Sequence, residues 1–353
     1  MATDVQLGMS VGTLARSHSA MIFPRLRYMG SKYRLADALS ERFLAVGGQT
    51  ALDAFSGSGF VSYLLKTLGY AVTSNDYLRF PAVITRAVVE NQTERLSDDE
   101  IAWISGPSLD GRDFIQTTFD GMYFPAEDLA FLDSAWSHID QMTEPKRSLA
   151  LAALVLSAAR KQPRGVFTFS DQRYDDGRRD IRLSLRDHFA ERVAEYNRCV
   201  FDSGLVNRSL SGDVFDLAPE PWNLVYLDPP YAPPRDDNDY IKRYHFLEGL
   251  SAYWEGMTIM PETKTKKLEK RFTPFAYKRT IVDALERLFE KFQGSTIVLS
   301  YSSNAVPDAE TITALLRNVK GSVELFPVDH SYSFGTHSKA LRRDVSEYIF
   351  VAQ

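Results

Sequence analysis

The chain has 353 residues, 44% hydrophobic and 25% charged, with a formal net charge of -5. That is enough apolar sequence for one large core plus a smaller lobe, and too acidic a balance for a protein that coats nucleic acid through bulk positive charge. A single cysteine, Cys199, excludes internal disulfides and cysteine-based zinc clusters; with no stretch near the roughly 18 apolar residues of a membrane span and no secretory signal, the expected compartment is the cytoplasm, without a membrane partner.

Residues 1–22 have weak periodicity and are expected to form a loosely held arm. Apolar residues then recur at helical spacing from Leu35 to Val46, and Gly47-Gly48 supplies a stop. Thr50 to Phe55 reads as a short buried strand, followed by Gly57-Ser58-Gly59 and a helix from Phe60 to Leu68 that Gly69 ends. A second strand is expected over Tyr70 to Ser74, closed by Asn75-Asp76, and a second helix from about Pro81 to Asn91. This alternation implies a parallel sheet with right-handed crossovers and a ligand site at the carboxyl ends of its strands. From Thr93 to Phe201 the pattern breaks into helical segments and basic, turn-rich sequence, with Cys199 expected in a helix core. Strands resume at Val206 to Leu210 and Asn223 to Leu227. The second runs into Asp228-Pro229-Pro230-Tyr231, where two prolines forbid helix or strand. Downstream lie a helix near Ile281 to Phe292, a strand Ser295 to Tyr301, a helix near Ala309 to Leu316, and strands near Val323 to Val328 and Ser346 to Ala352. The expected fold is α/β: one doubly wound, Rossmann-like domain (residues 23–92 and 202–353) interrupted by a largely helical insertion, residues 93–201.

Leu52 to Gly59 places a glycine-rich turn between a strand and a helix, where backbone can approach a ligand closely. Dinucleotides, adenosylmethionine and plain packing all use such turns. Asp76 ends the next strand, where a carboxylate can accept bonds from ribose hydroxyls or cap the following helix. The third glycine of the dinucleotide fingerprint is absent, with Ser62 near its place, and Gly30-Ser31-Lys32 runs in the wrong order for a phosphate loop, so dehydrogenase and kinase readings lose ground.

Methylating an aromatic amine requires hydrogen-bond acceptors that draw on its hydrogens, because the lone pair is delocalised into the ring. Asp228 and the Pro229 carbonyl are candidate acceptors. Pro229 and Pro230 stiffen the turn, and Tyr231 offers a flat face for an extruded base. With the apolar strand before it, this turn resembles the catalytic motif of the Dam-type DNA adenine-N6 methyltransferases, and the resemblance covers most of residues 23–353. Arg27 to Tyr33 is similar to that family's N-terminal motif, which implies contacts from Tyr28 and Lys32 to S-adenosylmethionine. Asp53, Phe55, Gly57 and Gly59 resemble its glycine-rich motif, Asp76 its ribose-binding acid, and Asp213-Val214 the residues that read the cofactor's adenine. Tyr240 to Phe246 resembles the tyrosine-rich stretch after the catalytic loop. Ser56 and Ser58 replace the usual Val and Ala, and Arg27 a position often aromatic. The resemblance assigns the insertion to no particular target-recognition region, so the target sequence does not transfer.

The resemblance implies transfer of methyl from S-adenosylmethionine to the N6 amine of a flipped adenine in double-stranded DNA, with Asp228, Pro229, Pro230 and Tyr231 catalytic and Asp228 also facing the cofactor. A cognate restriction endonuclease is a further partner that such enzymes admit. For DNA contact the candidates are Arg160, Lys161, Arg164, Gln172, Arg173, Arg178 and Arg179 in the insertion, with Lys242 and Arg243 after the catalytic turn. Asp171, Asp175, Asp176 and Asp180 leave a solvated loop as the alternative. A second basic run spans Lys264 to Arg279 and reads equally as a phosphate clamp or an exposed linker. His245 invites a general-base reading, but the amine proton becomes acidic only after transfer, so a structural role is expected; His330 and His337 are expected to be surface or structural residues. No metal is expected, since no histidine-carboxylate spacing suggests one. Methylation of the cytosine N4 amine or of an RNA base stays open, as does a catalytically idle DNA-binding module.

Overall fold

Seven strands carry the fold: β1 (Thr50–Asp53), β2 (Ala71–Asp76), β3 (Arg208–Ser211), β4 (Leu224–Leu227), β5 (Thr296–Ser302), β6 (Val323–Tyr332) and β7 (Arg343–Ala352). They form one sheet in the order β3-β2-β1-β4-β5-β7-β6. The first five are parallel, and β7 runs antiparallel between β5 and β6. The structure, a computed structural model, describes residues 19–168, 177–231, 240–332 and 343–353. The strands alternate their apolar residues between two faces, as a pleat of period two demands. Ala51, Leu224, Tyr226 and Val298 enter one core, while Leu52, Val225, Leu227 and Leu299 enter the other.

Helices cover both faces. On the first lie α1 (Ala36–Val46), α2 (Phe60–Leu68) and α3 (Arg79–Thr85), which bury Phe43, Leu64 and Ile84 completely. Each such side chain stabilises the fold by about 1.5–3 kcal/mol relative to exposure. The segment between β2 and β3 adds α4 (Asp98–Ile104), α5 (Phe114–Thr118), α6 (Ala126–Ile139), α7 (Lys146–Lys161), α8 (Arg179–Arg182) and α9 (Leu185–Cys199), and no strand among its described residues. A capping box starts α4, with Ser97 and Glu100 exchanging backbone bonds. These helices share the core of the first face, since Leu129, Leu151, Phe189 and Val193 belong to the same cluster as Phe43 and Ile84. The break at residue 93 is therefore one of topology and not of packing. After β4 comes α10 (Tyr240–Leu250), also on the first face, and α11 (Ile281–Lys291) and α12 (Ala309–Arg317) cover the second.

Several boundaries differ from the sequence expectation for physical reasons. The edge strand β3 begins at Arg208 and not Val206, which is 74% exposed; only Ser209 of the strand is buried. Strand β2 runs on through Asn75-Asp76, because pairing with β3 continues to Ser211. Helix α3 starts before Pro81, which sits in its first turn, and it ends in a π turn, Arg86–Glu90, closed by Asn91 N–H to the Arg86 carbonyl at 3.0 Å. The expected loose arm reaches only partway into the described residues: Ala20 is fully buried there.

Candidate active site

Strand order reverses between β1 and β4, and an open parallel sheet places its crevice at such a point, at the carboxyl ends of the strands. One cleft lies there, with about 1070 Å³ of non-atom space including solvent at its mouth. The turn after β1 supplies its floor. Ser56 N–H donates to the Asn75 carbonyl at 2.8 Å, and Gly59 N–H closes the turn on the Ser56 carbonyl at 2.7 Å. Gly57 has φ +49°, and a Cβ there would lie 2.8 Å from the Tyr28 ring. Only glycine fits both constraints.

Asp76, at the end of β2, braces this turn. Its Oδ2 accepts from Gly57 N–H at 2.8 Å and its Oδ1 from Leu78 N–H at 2.9 Å. Burial raises its pKa to about 6 against the pull of those bonds. Asp76 thus organises two loops, and it is not the cap of α3. That role belongs to Glu248 on α10, whose Oε2 takes Arg79 N–H at 2.8 Å and Phe80 N–H at 3.3 Å. Glu248 is fully buried, 3.5 Å from the Arg271 guanidinium, and burial pushes its pKa up to about 7. Sequence reasoning missed Glu248, and it placed Arg271, which lines the cleft, only in the basic run read as a phosphate clamp or an exposed linker.

Asp213 caps a 3-10 turn, Val214–Asp216, through Phe215 N–H at 3.0 Å, and Gly212, Asp213 and Val214 all line the cleft. Asn75 ties that loop to the first, donating from Nδ2 to the Gly212 carbonyl at 3.1 Å and to Ala54 at 3.3 Å. Phe55 meets Phe275 edge-on at 5.3 Å, and Phe275 stacks on Phe215 at 5.8 Å. The result is a cleft with an aromatic wall.

At the other end Asp228, Pro229, Pro230 and Tyr231 follow β4 into the cleft. Tyr231 packs edge-on to Tyr301 at 5.8 Å. The N-terminal motif and the tyrosine-rich helix meet over it: Tyr28 stacks on Tyr244 at 4.9 Å, and Met29 N–H donates to the Tyr244 hydroxyl at 2.8 Å. Lys32 reaches beneath. Its Nζ lies 2.9 Å from Asp228 Oδ1, 2.9 Å from Glu347 Oε1 and 2.9 Å from the Gly30 carbonyl. Burial acts to lower the Lys32 pKa, but Asp228 and Glu347 outweigh it and hold the ammonium well above its usual value. Asp228 itself is raised to about 6, by burial first; Lys32 opposes this and Glu347 reinforces it. Glu347, on β7, also escaped the sequence reading. A charged residue inside the apolar run of a buried strand was the signal that pointed to it.

Three expectations need correction. Asp53 does not line the cleft: it is fully buried beneath it, accepts from Ser62 Oγ at 2.6 Å, and is pushed by burial up to about 7. Gly59 also stands outside; an added Cβ would meet Ile84 at 3.1 Å and Phe23 at 3.3 Å, so its smallness serves packing. Lys161 is 3% exposed, paired with Asp128 and bonded to the Leu183 carbonyl at 2.6 Å, and therefore does not face DNA. Of the other candidates, Arg179 is exposed and pairs with Glu191, Arg160 lies 3.6 Å from Glu195, Arg178 and Arg243 are half-buried, and Lys242 is exposed. Gln172, Arg173 and the Arg164 side chain lie outside the described residues, as do His337 and the side chain of His330. His245 is fully buried away from the cleft, with Nε2 2.8 Å from the Phe167 carbonyl and a pKa lowered to about 4 by burial. Cys199 ends α9 as a buried thiol. No helix among the described residues is long and apolar enough to cross a membrane.

Comparison with known proteins agrees with this geometry. The chain is 28% identical over 348 residues to the type II methyltransferase M2.HphI of Haemophilus parahaemolyticus, covering 94% of this chain and 98% of the relative. It is 24% identical to the modification methylase LlaI of Lactococcus lactis subsp. lactis, and 24% identical to the type II methyltransferase M.FokI of Planomicrobium okeanokoites. It spans 50% and 52% of the length of those two. A family model described as the D12 class of N6 adenine-specific DNA methyltransferases matches residues 28–273, from the tyrosine that covers the glycine turn to the far wall of the cleft. The chain belongs to that family.

Proposed function

We propose that this chain transfers the methyl group of S-adenosylmethionine to the N6 amine of an adenine extruded from duplex DNA, at a defined sequence. The observation that carries the reading is that the acceptor turn Asp228 to Tyr231 and the acidic, glycine-rich and aromatic residues suited to a nucleoside share one cleft at the β1/β4 switch point. The cleft fits the cofactor on its own chemistry. Ser31 Oγ, Ser56 Oγ and Asn75 Oδ1, in residues that line it, are buried without a hydrogen-bond partner among the described residues, so a polar ligand would satisfy them. Tyr28, Phe55, Gly57, Asp76, Asp213 and Val214 are the residues proposed to hold it.

Bound there, the cofactor supplies an electrophilic methyl. The protein's part is to hold the amine. Asp228 and the Pro229 carbonyl accept its hydrogens, the two prolines keep both acceptors aimed at one point, and Tyr231 offers its ring to the base. No observation favours cytosine or RNA, and an idle binding module would have no use for acceptors in a cofactor cleft. Residues 93–201 are proposed to read the target, with Arg160, Arg178 and Arg179, the candidates Arg164, Gln172 and Arg173, and Lys242 and Arg243 on α10. Its relatives are named as type II methyltransferases and modification methylases, which supports a protective role beside a cognate endonuclease.

The test is incubation with methyl-labelled S-adenosylmethionine and a mixed-sequence duplex, then digestion to nucleosides. Label in N6-methyldeoxyadenosine is expected; label in cytosine alone, or in no base of any duplex, overturns the reading. Long-read methylation mapping of DNA from expressing cells would give the target sequence.

A further inference from the structure

We propose that Glu347 is a positioning residue for methyl transfer: by sharing Lys32 it leaves Asp228 a stronger hydrogen-bond acceptor for the substrate amine and gives the cleft floor one net negative charge. The inference rests on the methyl-transfer reading above.

An ammonium has three donors. Lys32 Nζ donates to the Gly30 carbonyl and forms ion pairs with Asp228 and Glu347, each at 2.9 Å. Lys32 is 3% exposed and Glu347 1%, so neither charge is offset by solvent. Neither Glu347 oxygen has a hydrogen-bond partner among the described residues, and the ammonium reaches Oε1 as an ion pair. Glu347 does not line the cleft, so whatever it does for the substrate passes through Lys32. Its position is fixed by the sheet, since β7 pairs it with Ser302 of β5 on one side and Val328 of β6 on the other.

Consider the floor without Glu347. Lys32 and Asp228 would form a neutral pair, with the carboxylate's charge largely satisfied by the ammonium. That is a poor arrangement for an amine acceptor. During transfer the carbon–sulfur bond breaks with its electron pair remaining on sulfur, and the nitrogen lone pair forms the new bond to carbon. The positive charge thus moves from sulfur to the amine nitrogen, which then loses a proton to solvent. An unshared ammonium under Asp228 would oppose that charge. Glu347 takes part of the ammonium's attraction, leaving Asp228 a stronger acceptor, and two carboxylates around one ammonium favour the cationic amine. Holding the triad costs desolvation, and removing one member of a buried charge network exposes the others to that cost. A functional role for Glu347 therefore has to be separated from a structural one.

Glu347→Gln keeps shape and removes charge; Glu347→Asp keeps charge and shortens the arm. In single turnover with saturating S-adenosylmethionine, Glu347→Gln is expected to slow transfer about tenfold to hundredfold, with the cofactor Kd by calorimetry moving less than about threefold, and Glu347→Asp to recover part of the rate. Thermal unfolding without cofactor supplies an independent readout. Glu347→Gln, Lys32→Met and the double variant should show non-additive losses of stability, because the two residues form one charge unit. If Glu347→Gln lowers Tm while the folded fraction transfers methyl within about twofold of the parent rate, the inference is overturned. Additive stability effects overturn it as well. Should Glu347→Gln not fold, Glu347→Asp and the double variant decide: equal rates in Lys32→Met and Lys32→Met/Glu347→Gln support action through Lys32, and a further fall in the double variant refutes it. Failure of the parent protein to methylate any duplex would instead refute the methyl-transfer reading.

Discussion

The cleft and the inserted helices both carry buried charge, and they use it in opposite ways. In the cleft, Asp76, Asp228 and Lys32 are held by backbone amides and by each other at positions that still face open space. In the insertion, Lys161 turns inward to Asp128, and Arg192 is 5% exposed between Glu191 and Glu195. Lys161 fastens α7 to α6, and Arg192 pairs within α9 itself. Counting arginines and lysines along a sequence cannot separate the two uses, because the count is blind to which way a helix presents each one.

The sharpest way to break this comparison is at Asp228. Asp228→Ala should lower single-turnover transfer about a thousandfold while changing the cofactor Kd only a few fold. Loss of cofactor binding to the same extent would make the residue structural, like Lys161. The pH dependence comes next. Asp228 has its pKa raised to about 6, so it is ionised above that value and protonated below it, where it ceases to be a full acceptor. Transfer should fall with decreasing pH below about 6, approaching about tenfold per pH unit, and a rate flat down to pH 5 would contradict it. On the other side, Lys161→Met leaves Asp128 buried without its counter-ion and should cost about 3–5 kcal/mol of stability by denaturant titration, with unchanged duplex affinity per folded molecule. Gly57→Ala drives a Cβ toward Tyr28 and strains a positive φ; about tenfold weaker cofactor binding is expected by calorimetry. Smallest is Arg179→Ala, at an exposed side chain. It should weaken duplex binding by a few fold and reduce the slope of log affinity against log salt by about one, without moving Tm.

Much of the sheet was legible because its signals are local. Helix α2 was read to the residue, since Gly59 and Gly69 bracket it, and β4 to within one residue, since apolar sequence stops at Asp228. Edge strand β3, with one buried residue in four, has no such contrast, and the π turn after α3 has no signature in the side chains. The site divides the same way. Phe55, Gly57, Asp76, Asp213 and Asp228 sit at or just after strand ends, Tyr28 precedes the first helix, and all of them carry motifs. Glu248 lies 169 residues from the helix end it caps, and no spacing rule reaches that far. For Lys161 a signal existed: it stands four residues after Ser157 and seven after Leu154, both fully buried, on the inner face of α7.

The pairing of Lys32 with Glu347 also sets a schedule. Roughly 300 residues of synthesis separate the two, on the order of tens of seconds on a ribosome. Throughout that interval a nascent chain displays the N-terminal motif, the glycine turn and eventually the acceptor turn, while the strand that carries Glu347 has yet to join the sheet. A fragment ending before β7 would contain every short motif by which the protein is recognised and still lack the second carboxylate of the triad. If Glu347 acts as proposed, the site is complete only once the seventh strand has joined the sheet.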